Sequence, residues 1–273
     1  MPHLLFTGPP GTGKTTCARI MCREILGGNE EAVLEMNASD DRGIDVVRTK
    51  IKYFAQKVVR LEPSQFKIVI LDEADSMTTA AQQAMRRVME VHADTTRFIL
   101  ICNTFTKIFE PIQSRCAVLK FDRLSDAEIM GELQRICRVE GICARPDALD
   151  MVVRLCDGDM RQCLNIIQSV SGLECIDSLS IEKVTGQPSP VFVEKILGLL
   201  DDRKADAALD LFDEMWVAKY EPGDIVGAFF RAAKYRDDYD LMRCVGMAQL
   251  RLAEGHDSKL QFYSMFHDIM SIK

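Results

Sequence analysis

Short apolar runs alternate with stretches of helical spacing along the first 124 residues. The runs typical of strands occupy residues 4–7, 33–37, 66–71, 97–101 and 117–121. Apolar residues with helical spacing, which predict helices between these strands, occupy residues 15–26, 44–59 and 80–91. Strands separated by helices are typical of βαβ units, so the pattern predicts an α/β fold with a parallel five-stranded sheet.

Beyond residue 124 the strand pattern stops and helical spacing continues. Ser125-Asp126-Ala127-Glu128 has the spacing of a capping box, which predicts the start of a helix. Further helices are predicted over residues 147–156, 160–172, 181–184, 191–200, 204–219, 222–235 and 241–254. The prolines of Gln187-Pro188-Ser189-Pro190 predict a hinge. We therefore predict three domains, at residues 1–124, 125–188 and 189–273.

The composition is that of a globular protein. Hydrophobic residues make up 47% of the 273 positions and charged residues 27%, which argues against long disorder. No apolar run approaches the roughly 18 residues of a membrane span, so no membrane partner is expected. The first residues lack the basic region and cleavage site of a signal peptide. Ten cysteines without any Cys-x-x-Cys spacing indicate reduced thiols rather than a zinc site or a disulfide framework.

The charge is unevenly distributed between the two parts of the chain. The net charge is −7, but residues 1–124 carry 17 Lys and Arg against 15 Asp and Glu, a net of +2. Residues 125–273 carry 17 against 26, a net of −9. An acidic total therefore does not exclude a nucleic-acid surface, and it places any such surface in the first part.

A glycine-rich loop follows the first predicted strand and opens the first predicted helix. Its sequence matches the phosphate-loop pattern G-x-x-x-x-G-K-[ST], and the flanking strand and helix argue against a chance turn. Backbone N–H groups and the helix N-terminus would face the phosphates of ATP. Lys14 would reach the β- and γ-phosphates, and the Thr15 hydroxyl would ligate Mg²⁺. The predicted nucleotide-binding residues of this loop are Gly8, Pro9, Pro10, Gly11, Thr12, Gly13, Lys14, Thr15 and Thr16.

An acidic pair ends the central apolar strand. Asp72 is predicted to hold the Mg²⁺ shell, and Glu73 to polarise a water for attack on the γ-phosphate. Successive strand side chains diverge, so adjacent acids have distinct directions for these two roles. The alternative is an acidic helix cap, which fits Asp75 better than a catalytic role does.

The chemistry alone leaves three polar residues open to two interpretations each. Asn103, at the end of a predicted strand, either orients the attacking water or forms an Asx turn. Arg115 either stabilises the γ-phosphate of a neighbouring subunit or forms a surface ion pair, and the residues alone favour the ion pair. Arg161, at the start of a helix, either contacts the nucleotide or pairs with Asp157 or Asp159.

Together these motifs resemble the AAA+ ATPases, and more narrowly the small subunits of replication factor C, the eukaryotic sliding-clamp loader. Besides the phosphate loop, the matching stretches are residues 2–6, 35–48, 70–78, 81–87, 102–103, 112–116 and 158–165. Ser114-Arg115-Cys116 is the most discriminating, because most AAA+ motors lack it. Residues 110–119 look most like the small subunit numbered two in the human complex, and the helical tail resembles the family's collar more loosely.

The resemblance implies an architecture, roles and partners. Residues 1–124 would be the AAA+ domain, 125–188 a helical lid and 189–273 an all-α collar. Asn103 would be sensor 1, Arg161 sensor 2, and Arg115 the finger that enters the adjacent subunit's ATP site in trans. Family members form a heteropentamer with other replication factor C subunits in the nucleus. They use ATP to open the sliding clamp (PCNA), which the helix over residues 80–91 would face, and load it onto primer–template DNA.

Basic side chains of the second predicted helix also gain a role from the resemblance. They would line the inside of the spiral and contact DNA phosphates, independently of sequence. The predicted DNA contacts are Arg42, Arg48, Lys50 and Lys52. A solvated charged face is the alternative for such a run. Asn37, at the end of the second strand, would couple DNA contact to Glu73.

One departure from the family and several competing functions accompany this prediction. Family members carry a segment before the first strand that helps seat the adenine, whereas this sequence starts at Met1-Pro2-His3, so we expect either an incomplete sequence or weaker ATP affinity. Another AAA+ DNA motor or helicase loader is disfavoured by Ser114-Arg115-Cys116. A nucleotide-binding scaffold without hydrolysis is disfavoured by Lys14, Asp72 and Glu73. A small-molecule kinase leaves the helical tail unexplained, and a two-motor helicase needs a longer chain.

Overall fold

The computed structural model describes residues 1–39, 47–62 and 65–272. The chain divides into two compact units, Met1–Leu124 and Ser125–Lys273. The further division of the second unit near residue 189 stays a prediction. Within the described residues, no helix combines the length and the apolar character needed to cross a membrane.

The first unit is built on a five-stranded sheet. Its strands are β1 (His3–Thr7), β2 (Val33–Asn37), β3 (Lys67–Asp72), β4 (Thr96–Cys102) and β5 (Cys116–Lys120). All four neighbouring pairs are parallel, in the order β2-β3-β4-β1-β5. The predicted parallel five-stranded sheet is therefore confirmed. The carboxyl ends of the strands meet at one edge, where parallel α/β sheets bind their ligands.

Four α-helices connect these strands within the described part of the unit. They are α1 (Lys14–Leu26), α2 (Lys52–Gln56), α3 (Thr79–Val91) and α4 (Glu110–Gln113). A π-helical turn, Val47–Ile51, precedes α2. The helix predicted over residues 44–59 is thus divided here, and residues 40–46 lie outside the described part. The sequence pattern did not predict α4, because four residues are too few to show helical periodicity.

Each strand buries alternate side chains on the two faces of the sheet, because successive side chains point to opposite sides. One face packs on α2 and α3, and the other packs on α1. Leu5, Val69 and Phe98 lie on the α3 side. Phe6 and Ile70 lie on the α1 side. Burial on both faces explains why β3 and β4 are continuous apolar runs in the sequence.

A buried lysine fastens the end of α2 to the start of β3. The Lys67 ammonium donates to the carbonyl oxygens of Phe54 (3.1 Å), Ala55 (2.5 Å) and Lys57 (2.8 Å). Carbonyls at the end of a helix have few N–H partners, and the cation supplies these three with a further donor, although the Phe54 carbonyl also accepts from the Lys57 N–H at 3.2 Å. Burial lowers the pKa of Lys67, since water no longer solvates its charge. The short helix that carries Lys52 is therefore held against the sheet.

The second unit is helical. Its helices are α5 (Asp126–Val139), α6 (Pro146–Cys156), α7 (Met160–Val170), α8 (Ser178–Thr185), α9 (Pro190–Asp201), α10 (Ala205–Val217), α11 (Pro222–Tyr235), α12 (Tyr239–Ala253) and α13 (Lys259–Ile272). The predicted capping box is present at the start of α5, where the Ser125 N–H donates to Glu128 at 2.9 Å. The sequence predicted no helix after residue 254, whereas the structure has α13.

An aromatic cluster fills the core formed by α10, α11 and α13. The Phe212 ring centroid lies 5.0 Å from that of Phe262 and 5.2 Å from that of Phe266. Trp216, the single tryptophan of the chain, lies 5.8 Å from Phe262. Phe229 completes the cluster against Phe266 at 5.6 Å. Such tilted and edge-on pairs contribute about 0.5–1.5 kcal/mol each beyond the burial of their surface, so α13 is a structural part of this core.

Candidate nucleotide-binding site

The glycine-rich loop between β1 and α1 takes a backbone path that its glycines permit. Gly11 and Gly13 have φ angles of 70° and 87°, in the left-handed region that side chains disfavour. At Gly8 an added Cβ would lie 2.0 Å from the carbonyl oxygen of Phe121. The Phe121 N–H in turn donates to the Thr7 carbonyl at 2.8 Å. The loop therefore approaches the end of β5 more closely than any residue but glycine allows.

Lys14 is buried beneath this loop, with only 6% of the residue exposed. Its ammonium donates to the carbonyl oxygens of Gly8 (2.8 Å) and Pro9 (2.7 Å). The Thr12 hydroxyl donates to the same Pro9 carbonyl at 3.0 Å. A cation held this way lies within the loop whose N–H groups would face a phosphate.

The loop meets the end of β3 through a direct side-chain contact. The Thr15 hydroxyl donates to Asp72 Oδ2 at 2.6 Å. The other oxygen of Asp72 accepts from the Glu73 N–H at 2.9 Å. The structure thus brings together the two residues predicted as metal ligands, although 57 positions separate them.

Glu73 is exposed and has a φ angle of 52°. This left-handed conformation is uncommon for a residue with a Cβ and costs of order 1–3 kcal/mol. It turns the chain sharply at the end of β3, and the Ser76 hydroxyl donates back to the Glu73 carbonyl at 2.8 Å. Asp75 accepts from the Thr104 N–H at 3.0 Å. Asp75 thereby joins the ends of β3 and β4, which agrees with a structural role.

Two asparagines lie at the same edge of the sheet. Asn37 is opposite Asp72 in the β2–β3 register, and its side chain accepts from the Ser39 N–H at 2.9 Å. Asn103 is exposed and directly follows β4, whose last residue pairs with Thr7 at the start of the phosphate loop. Parallel pairing therefore brings the predicted sensor and coupling residues to the edge that carries the loop and the acidic pair.

Arg115 is half-buried in the turn between α4 and β5 and pairs within its own chain. One guanidinium nitrogen donates to the Pro111 carbonyl at 2.6 Å, and another contacts Glu90 of α3. Glu90 also accepts from Arg86 at 3.1 Å. Hydrogen bonding from Arg86, assisted by the charge of Arg115, lowers the pKa of Glu90. Sequence reasoning did not find Glu90, because its contact with Arg115 joins residues 25 positions apart.

Arg161 is exposed near the start of α7 in the second unit. The two carboxylates offered as its partners are engaged elsewhere. Asp159 caps α7 by accepting from the Gln162 N–H at 3.0 Å. The Lys234 ammonium donates to both carboxylate oxygens of Asp157, at 2.7 and 2.9 Å.

Two of the four predicted DNA-contacting side chains belong to the residues that the structure describes. Lys50 and Lys52 are exposed, on the π-helical turn and on α2. Arg42 lies outside the described residues, and the side chain of Arg48 is likewise outside them. Both described lysines lie in the positively charged first part of the chain.

Known proteins resemble this chain along its whole length. Residues 4–123 match the family model described as "ATPase family associated with various cellular activities (AAA)". The chain is 58% identical to replication factor C subunit 4 of Encephalitozoon cuniculi over 273 residues, covering 100% of this chain and 87% of that protein. It is 46% identical to replication factor C subunit 2 of Arabidopsis thaliana, covering 100% and 84%.

More distant likenesses extend this pattern. The replication factor C small subunit of the archaeon Staphylothermus marinus is 41% identical, with 96% of this chain and 82% of that protein covered. The solved structure of the Thermotoga maritima RuvB Holliday junction branch migration motor superposes with a TM-score of 0.55 over 87% of each chain. That structure is 16% identical, so the likeness concerns the fold alone.

Proposed function

The chain belongs to the replication factor C small subunits, the AAA+ ATPases of the DNA sliding-clamp loader, and from this we propose that it binds ATP with Mg²⁺ and hydrolyses it within a hetero-oligomer. The observation that carries the proposal is the contact between Thr15 and Asp72 beside the buried Lys14. A hydroxyl, a carboxylate and an ammonium at a phosphate loop are the parts that phosphoryl transfer requires.

The oxygen atoms at the loop fit a magnesium ion by their chemistry. Mg²⁺ prefers hard oxygen ligands and is usually held by one or two protein groups together with substrate phosphates. Thr15 and Asp72 supply a hydroxyl and a carboxylate whose oxygens are 2.6 Å apart. When bound, the ion would neutralise charge on the β- and γ-phosphates.

The remaining roles follow from position at the sheet edge. The Lys14 ammonium would exchange the carbonyls of Gly8 and Pro9 for phosphate oxygens. Glu73 would orient the attacking water, with Asn103 as sensor 1 beside it. Asn37, which pairs opposite Asp72, would couple DNA contact to the adjacent Glu73.

Two arginines would complete ATP sites, one in this chain and one in a neighbouring subunit. Arg161 would act as sensor 2 from the helical unit. Arg115 would serve in trans: its guanidinium would give up its contact with Glu90 and enter the ATP site of an adjacent subunit. An arginine supplied this way stabilises transition-state charge on the transferring phosphoryl group.

The proposed partners follow from the family. The relatives named above are subunits of replication factor C, so we place this chain in a heteropentamer joined through its collar. The complex would open the sliding clamp (PCNA), against α3, and load it onto primer–template DNA in the nucleus. The test below distinguishes this function from that of another AAA+ motor and from that of a scaffold that does not hydrolyse ATP.

The test is the native mass and composition of the complex that copurifies with the tagged chain. Several different P-loop subunits in one assembly would support the proposal. A homo-oligomer would contradict it in favour of another AAA+ motor. A monomer without ATPase activity, even after mixing with the clamp-loader subunits, would contradict it in favour of a chain that does not hydrolyse ATP.

The variant Lys50→Glu/Lys52→Glu should weaken DNA binding by the assembled complex. Each lost phosphate contact on a duplex reduces the slope of log K against log salt by about 0.9. We therefore expect a slope shallower by roughly 2, measured by fluorescence anisotropy of labelled primer–template DNA at several salt concentrations.

The matched control is Lys183→Glu/Lys195→Glu, which reverses two exposed lysines of the second unit. Its net charge change is the same, so its salt slope should stay that of the parent complex. Equal slopes for both variants would mean that Lys50 and Lys52 contact no DNA and belong to a solvated charged face.

A further inference from the structure

Two exposed cysteines of the second unit lie with their sulfur atoms in contact. The Sγ atoms of Cys143 and Cys175 are 2.8 Å apart, although 32 positions separate the residues. A disulfide requires about 2.05 Å. A small side-chain rotation therefore suffices to bring the two sulfurs to bonding distance.

The backbone already holds the two cysteines side by side. The Ile176 N–H donates to the Cys143 carbonyl at 2.8 Å, and the Arg145 N–H donates to the Ile176 carbonyl at 2.9 Å. These bonds form a parallel bridge between Ala144 and Ile176. Cys143 and Cys175 each directly precede a member of this bridge, and neighbouring strands lie about 4.8 Å apart, within the Cα separation that disulfides accept. Ile176 is fully buried and anchors the bridge.

The other thiols of the chain are shielded from oxidants. Six are buried and two are half-buried, so Cys143 and Cys175 are the only exposed cysteines among all ten. Burial raises the pKa of Cys22 to about 11 and that of Cys116 to about 12, which suppresses the reactive thiolate. Cys156 also contacts another cysteine, Cys163, but both are buried.

Hydrogen bonding within the exposed pair changes the acidity of one of its two thiols, Cys175. The bond to Cys143 raises the pKa of Cys175, while the nearby Arg145 charge opposes that rise. The Cys175 thiol thus keeps its proton and can donate it to the sulfur of Cys143. Two exposed sulfurs in contact allow a sulfenic acid formed on one to be attacked by the other.

We propose that Cys143 and Cys175 form a redox-sensitive dithiol that hydroperoxides convert to an intramolecular disulfide. The Cys143 sulfur attacks a peroxide oxygen and breaks the O–O bond, and the Cys143 thiol proton passes to the departing oxygen, which gives a sulfenic acid and, with hydrogen peroxide, one water. The Cys175 sulfur then attacks the sulfenic sulfur, and the S–O bond breaks to release the second water. The dithiol loses two electrons and two protons, and a small dithiol reductant reverses the reaction.

The disulfide would close a loop that contains α6 and α7. Closing a loop of this length restricts the unfolded chain and stabilises the fold. We expect the thermal unfolding midpoint of the second unit to rise by roughly 5 °C. Since α7 carries Arg161, the modified segment is the one that would report on the nucleotide.

The test treats the full chain with a small excess of hydrogen peroxide and maps its thiols under non-reducing conditions. We expect free thiols to fall from ten to eight, with a cross-linked peptide pair containing Cys143 and Cys175 that is two hydrogen atoms lighter. Dithiothreitol should restore both thiols and reverse the change in melting temperature. Cross-linking of Cys156 to Cys163 first, or disulfide-linked dimers instead, would overturn the proposal.

Single variants separate the two steps. Cys175→Ser should stop at a sulfenic acid on Cys143, which dimedone traps, and Cys143→Ser should lose no thiol pair. The control Cys17→Ser removes a half-buried cysteine of the first unit and should form the disulfide as the parent does. Loss of two thiols in Cys143→Ser would show that another pair reacts.

Discussion

Lys14→Ala is expected to reduce ATP turnover at this subunit's site by roughly 100- to 1,000-fold, the effect of removing one preorganised electrostatic group. The ammonium is buried beneath the phosphate loop, where the low dielectric strengthens its interaction with phosphate oxygens. Alanine also leaves the carbonyls of Gly8 and Pro9 without this donor. Binding should therefore weaken together with hydrolysis.

The measurement is photo-crosslinking of an ATP analogue to this chain within the assembled complex, together with steady-state ATPase. Lys107→Ala is the control, because it removes an exposed lysine of the same unit. The control should crosslink as the parent does. Undiminished crosslinking and ATPase in Lys14→Ala would reject the phosphate loop as the site.

Arg115→Ala is expected to leave ATP binding by this chain intact and to reduce hydrolysis at the neighbouring site by about 1,000-fold or more. In the single chain Arg115 pairs with Glu90, but the two side chains are 32% and 39% exposed. Solvent screens a pair that is this exposed, so its loss should cost little stability and the variant should still fold and assemble.

Subunit mixing locates the defect. Complexes are assembled in which the only hydrolysis-competent site is either this chain's own or its neighbour's, and single-turnover hydrolysis is compared. Arg60→Ala, an exposed arginine of the same unit, serves as the control. A loss confined to this chain's own site would mean that Arg115 acts in cis.

The features that sequence patterns predicted well are those set by neighbouring residues. The apolar runs located β3 and β4 because both strands are buried on two faces. The phosphate loop was recognisable because its glycines, lysine and threonine have a fixed spacing between a strand and a helix. The proximity of Thr15 and Asp72 is an exception that joins distant positions, and it could be expected because parallel strand topology places the loop and the end of β3 at one edge. The roles of these residues stay predictions.

The features that escaped prediction depend on contacts between distant positions. Lys67 stands at the start of an apolar strand, where a lysine is typical of a strand boundary, and its three carbonyl partners come from a preceding helix. The pairing of Arg115 with Glu90 and that of Cys143 with Cys175 likewise join separate elements. Local spacing carries no record of such contacts, because they arise only when the elements pack.

The position of Trp216 decides what fluorescence can report about this protein. Its indole lies against Phe212 and Phe262 in the helical unit, and the chain has no other tryptophan. Tryptophan emission therefore reports on that aromatic core alone and gives no information about the sheet. Far-ultraviolet circular dichroism records helices of both units. A difference between the two unfolding midpoints would measure how independently the units melt, without any label.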